Sequence, residues 1–228
     1  MQIDPVGYND QVNLYAYGNS DPVNSSDASG CVVVVEGTND QKEEFRRKAE
    51  GYTGLPLDYW PDTGVLRITG PRDSARGNAE AAAWLTAAIN APQSLPFKMV
   101  TNDPQTNFDA FHTDAFDLGD FSVAEGKSRD WAAALFTHIV VERLTAAQVA
   151  RSNGGSYYDY WKVAHEEALK VESRMLGAAY RRDNTKLVSA TGPDFYRLRN
   201  GPLFFEYYDR NGRFLKQYVV TFKDGVMH

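Results

Sequence analysis

Apolar and polar positions change their period several times along this chain, and the changes mark out its elements. Val32–Val35 is an uninterrupted apolar run of strand length. Asp40–Glu50 is charged, with Phe45 and Ala49 on one side, as in a helix lying on a core. Leu57–Trp60 and Val65–Thr69 flank the turn residues Pro61-Asp62-Thr63-Gly64 and predict a hairpin. Asn78–Asn90 is an alanine-rich helix stopped before Pro92, and Phe97–Val100 is a further strand. Residues 101–121 hold no sustained period and read as a long loop with short extended pieces. Two longer helices follow, Ser128–Ala150 and Tyr157–Arg182, separated by Asn153-Gly154-Gly155-Ser156. So short a linker predicts antiparallel neighbours in contact. Alternation returns at Lys186–Ser189, Phe195–Arg199, Leu203–Asp209 and Arg213–Phe222, with Asn211-Gly212 as a hairpin turn. The expected fold class is α+β, with strands and hairpins before and after a central antiparallel helical pair.

The first thirty residues stand apart. They are rich in Asn, Asp, Ser, Gly and Pro, with one apolar burst at Val12–Tyr17, and bury too little to fold alone. Residues 1–30 therefore read as an extended, turn-rich appendage and 31–228 as one functional domain, which a 228-residue chain accommodates. A hydrophobic share of 43% and a charged share of 24% are globular. A net charge of −6 disfavours nucleic acid as the main partner. Arg174, Arg181, Arg182 and Lys186 read as a solvated helix end rather than a basic patch. The single cysteine, Cys31, excludes an intrachain disulfide and a multi-cysteine metal cage, and reads as a small buried residue. No apolar run reaches membrane-spanning length, and MQIDPVGYND lacks the basic start and apolar core of a signal peptide.

Within the appendage, Asp4-Pro5-Val6-Gly7, Asn13-Leu14-Tyr15-Ala16-Tyr17, Asn19 and Asp21-Pro22-Val23-Asn24 occur in an order and spacing that resemble the end of an Rhs repeat-associated core. In that family the core forms a large β-cage, and the polypeptide after it is a toxin that varies between relatives. The resemblance implies that residues 31–228 are a polymorphic-toxin effector domain, carried into a competitor or host cell by a specialised secretion system. It also implies as partners the Rhs cage, a protein target and a cognate immunity protein. The family pattern closes on a second Asp-Pro-x-Gly, after which the chain is often self-cleaved. Asp27-Ala28-Ser29-Gly30 lacks that proline, which puts a cut between Gly30 and Cys31 in doubt.

The central helices carry the chemistry. Trp131–Val141 is apolar nearly all round, which implies burial, yet His138 and Glu142 are set into this helix four residues apart, on one face. Buried charges need partners. On the second helix, His165 lies beside the stripe of Trp161, Ala164, Ala168 and Met175, and Glu172 follows two turns later on the same side. Antiparallel packing would bring His138 and Glu142 against His165 and Glu172, and two imidazoles with one or two carboxylates suit zinc with a position left for water. A metal-free ion-pair network that registers the two helices fits the same residues.

His138-x-x-x-Glu142, then Ala164-His165 and Glu172, with Phe116-Asp117-Leu118-Gly119-Asp120 ahead of them, resemble zincin-like metallopeptidase toxin domains. That resemblance implies His138, Glu142, His165 and Glu172 as metal ligands, zinc as cofactor, and peptide or amide hydrolysis. The family places a glutamate directly after the first histidine, to accept a proton from the attacking water; here Ile139 stands there and cannot. Glu142 or Glu172 is then the candidate catalytic base. The rival reading is an effector without catalysis that acts by binding a target protein. His112, near Asp109, Asp114, Asp117 and Asp120, lacks the alternation of a calcium loop, so these acids read as solvated.

Overall fold

The computed structural model describes residues 32–183 and 199–228. The Rhs-like segment 1–30, Cys31, the strand expected at 186–189 and most of that at 195–199 lie outside the described residues.

The chain opens with strand β1 (Val32–Glu36), helix α1 (Asn39–Thr53), the hairpin β2 (Leu57–Tyr59) and β3 (Leu66–Ile68), helix α2 (Ala79–Ile89) and strand β4 (Ser94–Val100). Thr38 and Gln41 close a capping box at the start of α1. Gly54 ends that helix at φ +74°, where a Cβ would collide with the Arg76 carbonyl. Asn78 caps α2 by accepting from the Glu80 and Ala81 amides.

β1 and β4 pair in parallel, and β4 pairs in parallel with β6 (Ala115–Asp117), whose other side holds the antiparallel edge strand β5 (Asp109–Ala110). Among the described residues this mixed sheet runs β1-β4-β6-β5. The fold is α+β as expected, with one finding beyond the sequence pattern. The crossover through α1, the hairpin and α2 turns two of the early strands parallel, which strand periodicity alone does not report.

The stretch expected to be loop to residue 121 ends earlier, in helix α3 (Leu118–Lys127). Gly119 and Gly126 weaken its signal, and Asp117 supplies what propensity lacks. The buried Asp117 carboxylate accepts from the Gly119 and Asp120 amides of that helix and from Asn102 and Asp103 of the preceding loop.

Helices α4 (Arg129–Asn153) and α5 (Trp161–Met175) form the central pair, joined through Gly154, Gly155 and a short 3-10 turn at Tyr157–Tyr160. They are antiparallel: His138 meets Glu172, Glu142 meets His165, and Ala146 clusters with Ala164. α5 stops at Met175, not at residue 182. Gly177, at φ +71°, donates to the Arg174 carbonyl and Ala178 donates to Ser173, a helix-ending turn that reverses the chain. The expected helical tail is strand β7 (Tyr180–Asp183). It pairs antiparallel with β8 (Gly201–Tyr208), which pairs with β9 (Phe214–Lys223), and β9 pairs with β10 (Val226–Met227).

Among the described residues one large apolar core runs from Val33 of the first sheet to Met227 of the second, with α4 through its middle. Trp131 of α4 stacks on Tyr218 at 4.6 Å and meets Phe108 and Phe205 edge-on. The fully buried Arg143 donates to the carbonyls of Pro96, Asp114 and Ala115 and lies 4.3 Å over Phe97, tying α4 to the first sheet. No helix among the described residues is long and apolar enough to cross a membrane.

Asp120 sits buried under this core, where burial pushes its carboxyl up to about 8 despite the Phe108 and Met227 amides that favour the anion. From about pH 4 to that value the folded chain keeps a proton the unfolded chain has lost, so stability falls as pH rises through the window. Asp120→Asn keeps an acceptor oxygen and is expected to flatten that part of the profile in thermal melts at acid and mildly alkaline pH. A slope left unchanged would show that Asp120 is not its source.

Candidate metal centre

The helical pair places three of the expected residues around one point. His138 Nε2 stands 3.2 Å from His165 Nδ1, which stands 2.7 Å from Glu142 Oε1. Their ligand atoms all lie within 4.8 Å of one another, and the three residues could together hold a metal ion. Ligands in a tetrahedral zinc site stand roughly 3.3 Å apart, given bonds of about 2.0–2.1 Å. The 3.2 Å histidine pair already meets that separation, and the 2.7 Å Glu142–His165 contact would open by about half an ångström.

The burial of the group is uneven. His138 and Glu142 are buried, whereas 27% of the His165 side chain stays open to solvent, so the group is reached from the His165 side. Trp161, one helical turn earlier, lies over the His165 ring at 4.9 Å and donates its indole N–H to Glu142. Burial raises the Glu142 carboxyl above the ordinary range, against the opposing charges of His138 and Arg143. His165 is pushed down to about 4, by burial first and the Arg181 charge second, with its open edge tempering the first. Both shifts act in one direction: an uncharged imidazole faces a carboxyl that holds its proton more tightly than usual.

Glu172 lies behind His138 and is fully buried. Its Oε2 comes within 2.7 Å of His138 Nδ1, a close contact that is bent away from hydrogen-bond alignment. Arg181 grips both oxygens, at 3.0 and 2.8 Å, and the Tyr207 hydroxyl donates to Oε1 at 2.5 Å. Trp131 in turn donates to the Tyr207 hydroxyl at 3.1 Å. Burial alone would raise Glu172; Arg181, His138 and Tyr207 overcome it and hold the carboxylate well below its usual range.

Three contributors escape a reading of the sequence. Asp109, on edge strand β5, is felt electrostatically by Glu142, His138 and His165, and its Oδ2 lies 3.7 Å from Arg143 without a hydrogen bond. Burial first and Glu142 second raise it to about 6. It is therefore no solvated loop acid: β5 pairs with the nearby β6, which the parallel pairing with β4 holds in the first sheet. Arg181 is not a solvated helix end but a mostly buried partner of Glu172. Tyr207 carries the one available signal: a tyrosine at an inward strand position needs a partner for its hydroxyl.

The remaining candidates fall elsewhere. His112 is exposed and stacks 5.9 Å from Tyr158, Asp114 accepts from the Tyr158 hydroxyl, and Asp117 and Asp120 receive backbone amides. In comparisons with known proteins, no family model, no curated protein and no solved structure matches this chain.

Breaking a buried pair leaves the survivor uncompensated. Arg181→Ala is expected to cost about 3–5 kcal/mol in urea denaturation because it strands Glu172. Lys170→Ala, which breaks an exposed pair with Glu167, is expected to change nothing measurable. Equal effects from the two would contradict the burial of the Glu172–Arg181 contact.

Proposed function

We propose that this chain is the effector end of an Rhs-type polymorphic toxin and a zinc-dependent, peptidase-like hydrolase of zincin-like arrangement. One observation carries the chemical half of the reading: His138, Glu142 and His165 converge on one point between the two helices, with one edge open to solvent. The carrier half rests on the Rhs-like segment at residues 1–30.

In this reading His138, Glu142 and His165 hold the ion. When bound, zinc acidifies water and polarises a scissile carbonyl. Ile139 leaves the usual proton acceptor missing, and the contacts favour Asp109 over Glu172 for that work. Both Glu172 oxygens are already engaged by Arg181 and Tyr207, while Asp109 Oδ2 has no hydrogen-bond donor and its carboxyl is raised toward neutrality. Trp161 stacks on the His165 ring, and the partly exposed His165 edge is where a peptide or amide substrate would approach. The partners that go with this reading are a protein target in the recipient cell, a cognate immunity protein and the Rhs cage, with delivery by a specialised secretion system.

A second reading is favoured by a specific observation. His138 and His165 each have a carboxylate within 2.7 Å in the chain itself, so the group also works as a metal-free register between α4 and α5. The protein would then act by binding its target without catalysis.

Elemental analysis after zinc loading separates the two. The metalloprotein reading expects about one zinc per chain, lost in both His138→Ala and His165→Ala; no bound metal would sink it. For catalysis, growth of a susceptible cell expressing Asp109→Asn or Glu142→Gln is expected to recover, and toxicity undiminished in both would leave target binding as the surviving account.

A further inference from the structure

The second sheet reaches into the metal centre from behind. Arg181 of β7 and Tyr207 of β8 are paired directly across the two strands, so their side chains leave the sheet on one face. Both end on Glu172: Arg181 takes both carboxylate oxygens, and the Tyr207 hydroxyl donates to Oε1. Phe205 lies 5.1 Å beneath the Arg181 guanidinium, Asp183 accepts its other nitrogen at 3.0 Å, and Trp131 fixes the Tyr207 hydroxyl. The carboxylate is thereby immobilised before it meets His138.

Glu172 Oε2 lies 2.7 Å from His138 Nδ1. The contact is bent, but an unprotonated Nδ1 would still set its lone pair beside an anionic carboxylate oxygen at that distance and be repelled, so Nδ1 carries the hydrogen. In a neutral ring the lone pair then belongs to Nε2, the atom turned toward His165 and Glu142.

We propose that the Arg181–Tyr207 cross-strand pair and Glu172 form a positioning device that commits His138 to its Nδ1–H tautomer and aims Nε2 as a ligand. The assignment of Nε2 as a zinc ligand rests on the metalloprotein reading above; the tautomer and its cause do not. Glu172 on this account is neither ligand nor base. It orients the ring, as carboxylates behind metal-binding histidines do. The requirement also explains why a carboxylate is buried at full depth on α5, where an apolar residue would pack against α4 more simply.

The test uses the full chain and two measurements. Long-range proton–nitrogen NMR on the metal-free protein at neutral pH reads the His138 tautomer. Zinc titration, with cobalt(II) absorption as a check on ligand geometry, reads the consequence. The wild type is expected to show His138 protonated on Nδ1. In Glu172→Gln an amide cannot accept from Arg181, Tyr207 and His138 together, so the tautomer preference should be lost. Zinc should then bind about 10- to 100-fold more weakly at unchanged stoichiometry, with altered cobalt bands. Tyr207→Phe, which keeps the ring and the ion pair, should shift both readouts the same way by less; it carries the comparison if Glu172→Gln does not fold. An Nε2–H tautomer in the wild type, or variants that match it in tautomer and affinity, would overturn the inference. If the wild type binds no zinc but shows the Nδ1–H form, lost in the variants, the positioning device stands and the metalloprotein reading falls.

Discussion

Everything in this molecule follows from the need to bury α4 on all sides. A 25-residue helix whose middle is buried round its whole circumference cannot rest on one sheet with a face in water. It has to be enclosed. The first sheet with α1, α2 and α3, then α5, then the second sheet each cover part of it, and their side chains merge into one core. Each cover is fastened by a polar group set into the helix or received by it. Arg143 reaches the carbonyl groups of the first sheet, His138 and Glu142 face α5, and Trp131 donates to Tyr207 of the second sheet.

Enclosure is also what gives these polar groups their character. In water an Arg–Glu contact contributes little and a histidine titrates near neutrality. Here Glu172 is held anionic by a guanidinium and a hydroxyl, while Glu142 and His165, a few ångströms away, are both driven toward their neutral forms. Two carboxyl groups on one helical pair are thus shifted in opposite directions. The difference lies in which of them the second sheet touches.

The legible part of the site is the part written at helical spacing. His138 and Glu142 share a face because they are four residues apart, and a short glycine linker forces the return of His165 and Glu172. What the pattern hides depends on strands too short to show a period and on turns or pairings that the local pattern does not mark. Asp109 arrives through a two-residue edge strand in a stretch with no period, and Arg181 through a glycine turn that converts an expected helix into a strand. The same rule separates the fold's readable and unreadable parts. The β2–β3 hairpin and the α4–α5 pair are local and stand where periodicity puts them, although α5 begins four residues later and ends seven earlier than the pattern suggests. The parallel pairing of β1 with β4 spans about sixty residues and leaves no mark on either strand.

The register between Arg181 and Tyr207 has a consequence for the order of synthesis. A ribosome releases the chain from its N-terminus, so α4 and α5 are available long before residue 207. Until β8 emerges, Glu172 has no tyrosine hydroxyl, Trp131 has no acceptor, and β7 has no partner strand to hold Arg181 over the helical pair. The centre is therefore incomplete in every nascent chain that stops short of the second sheet. The last strands translated are thus the ones that finish the setting of Glu172 and, through it, of His138.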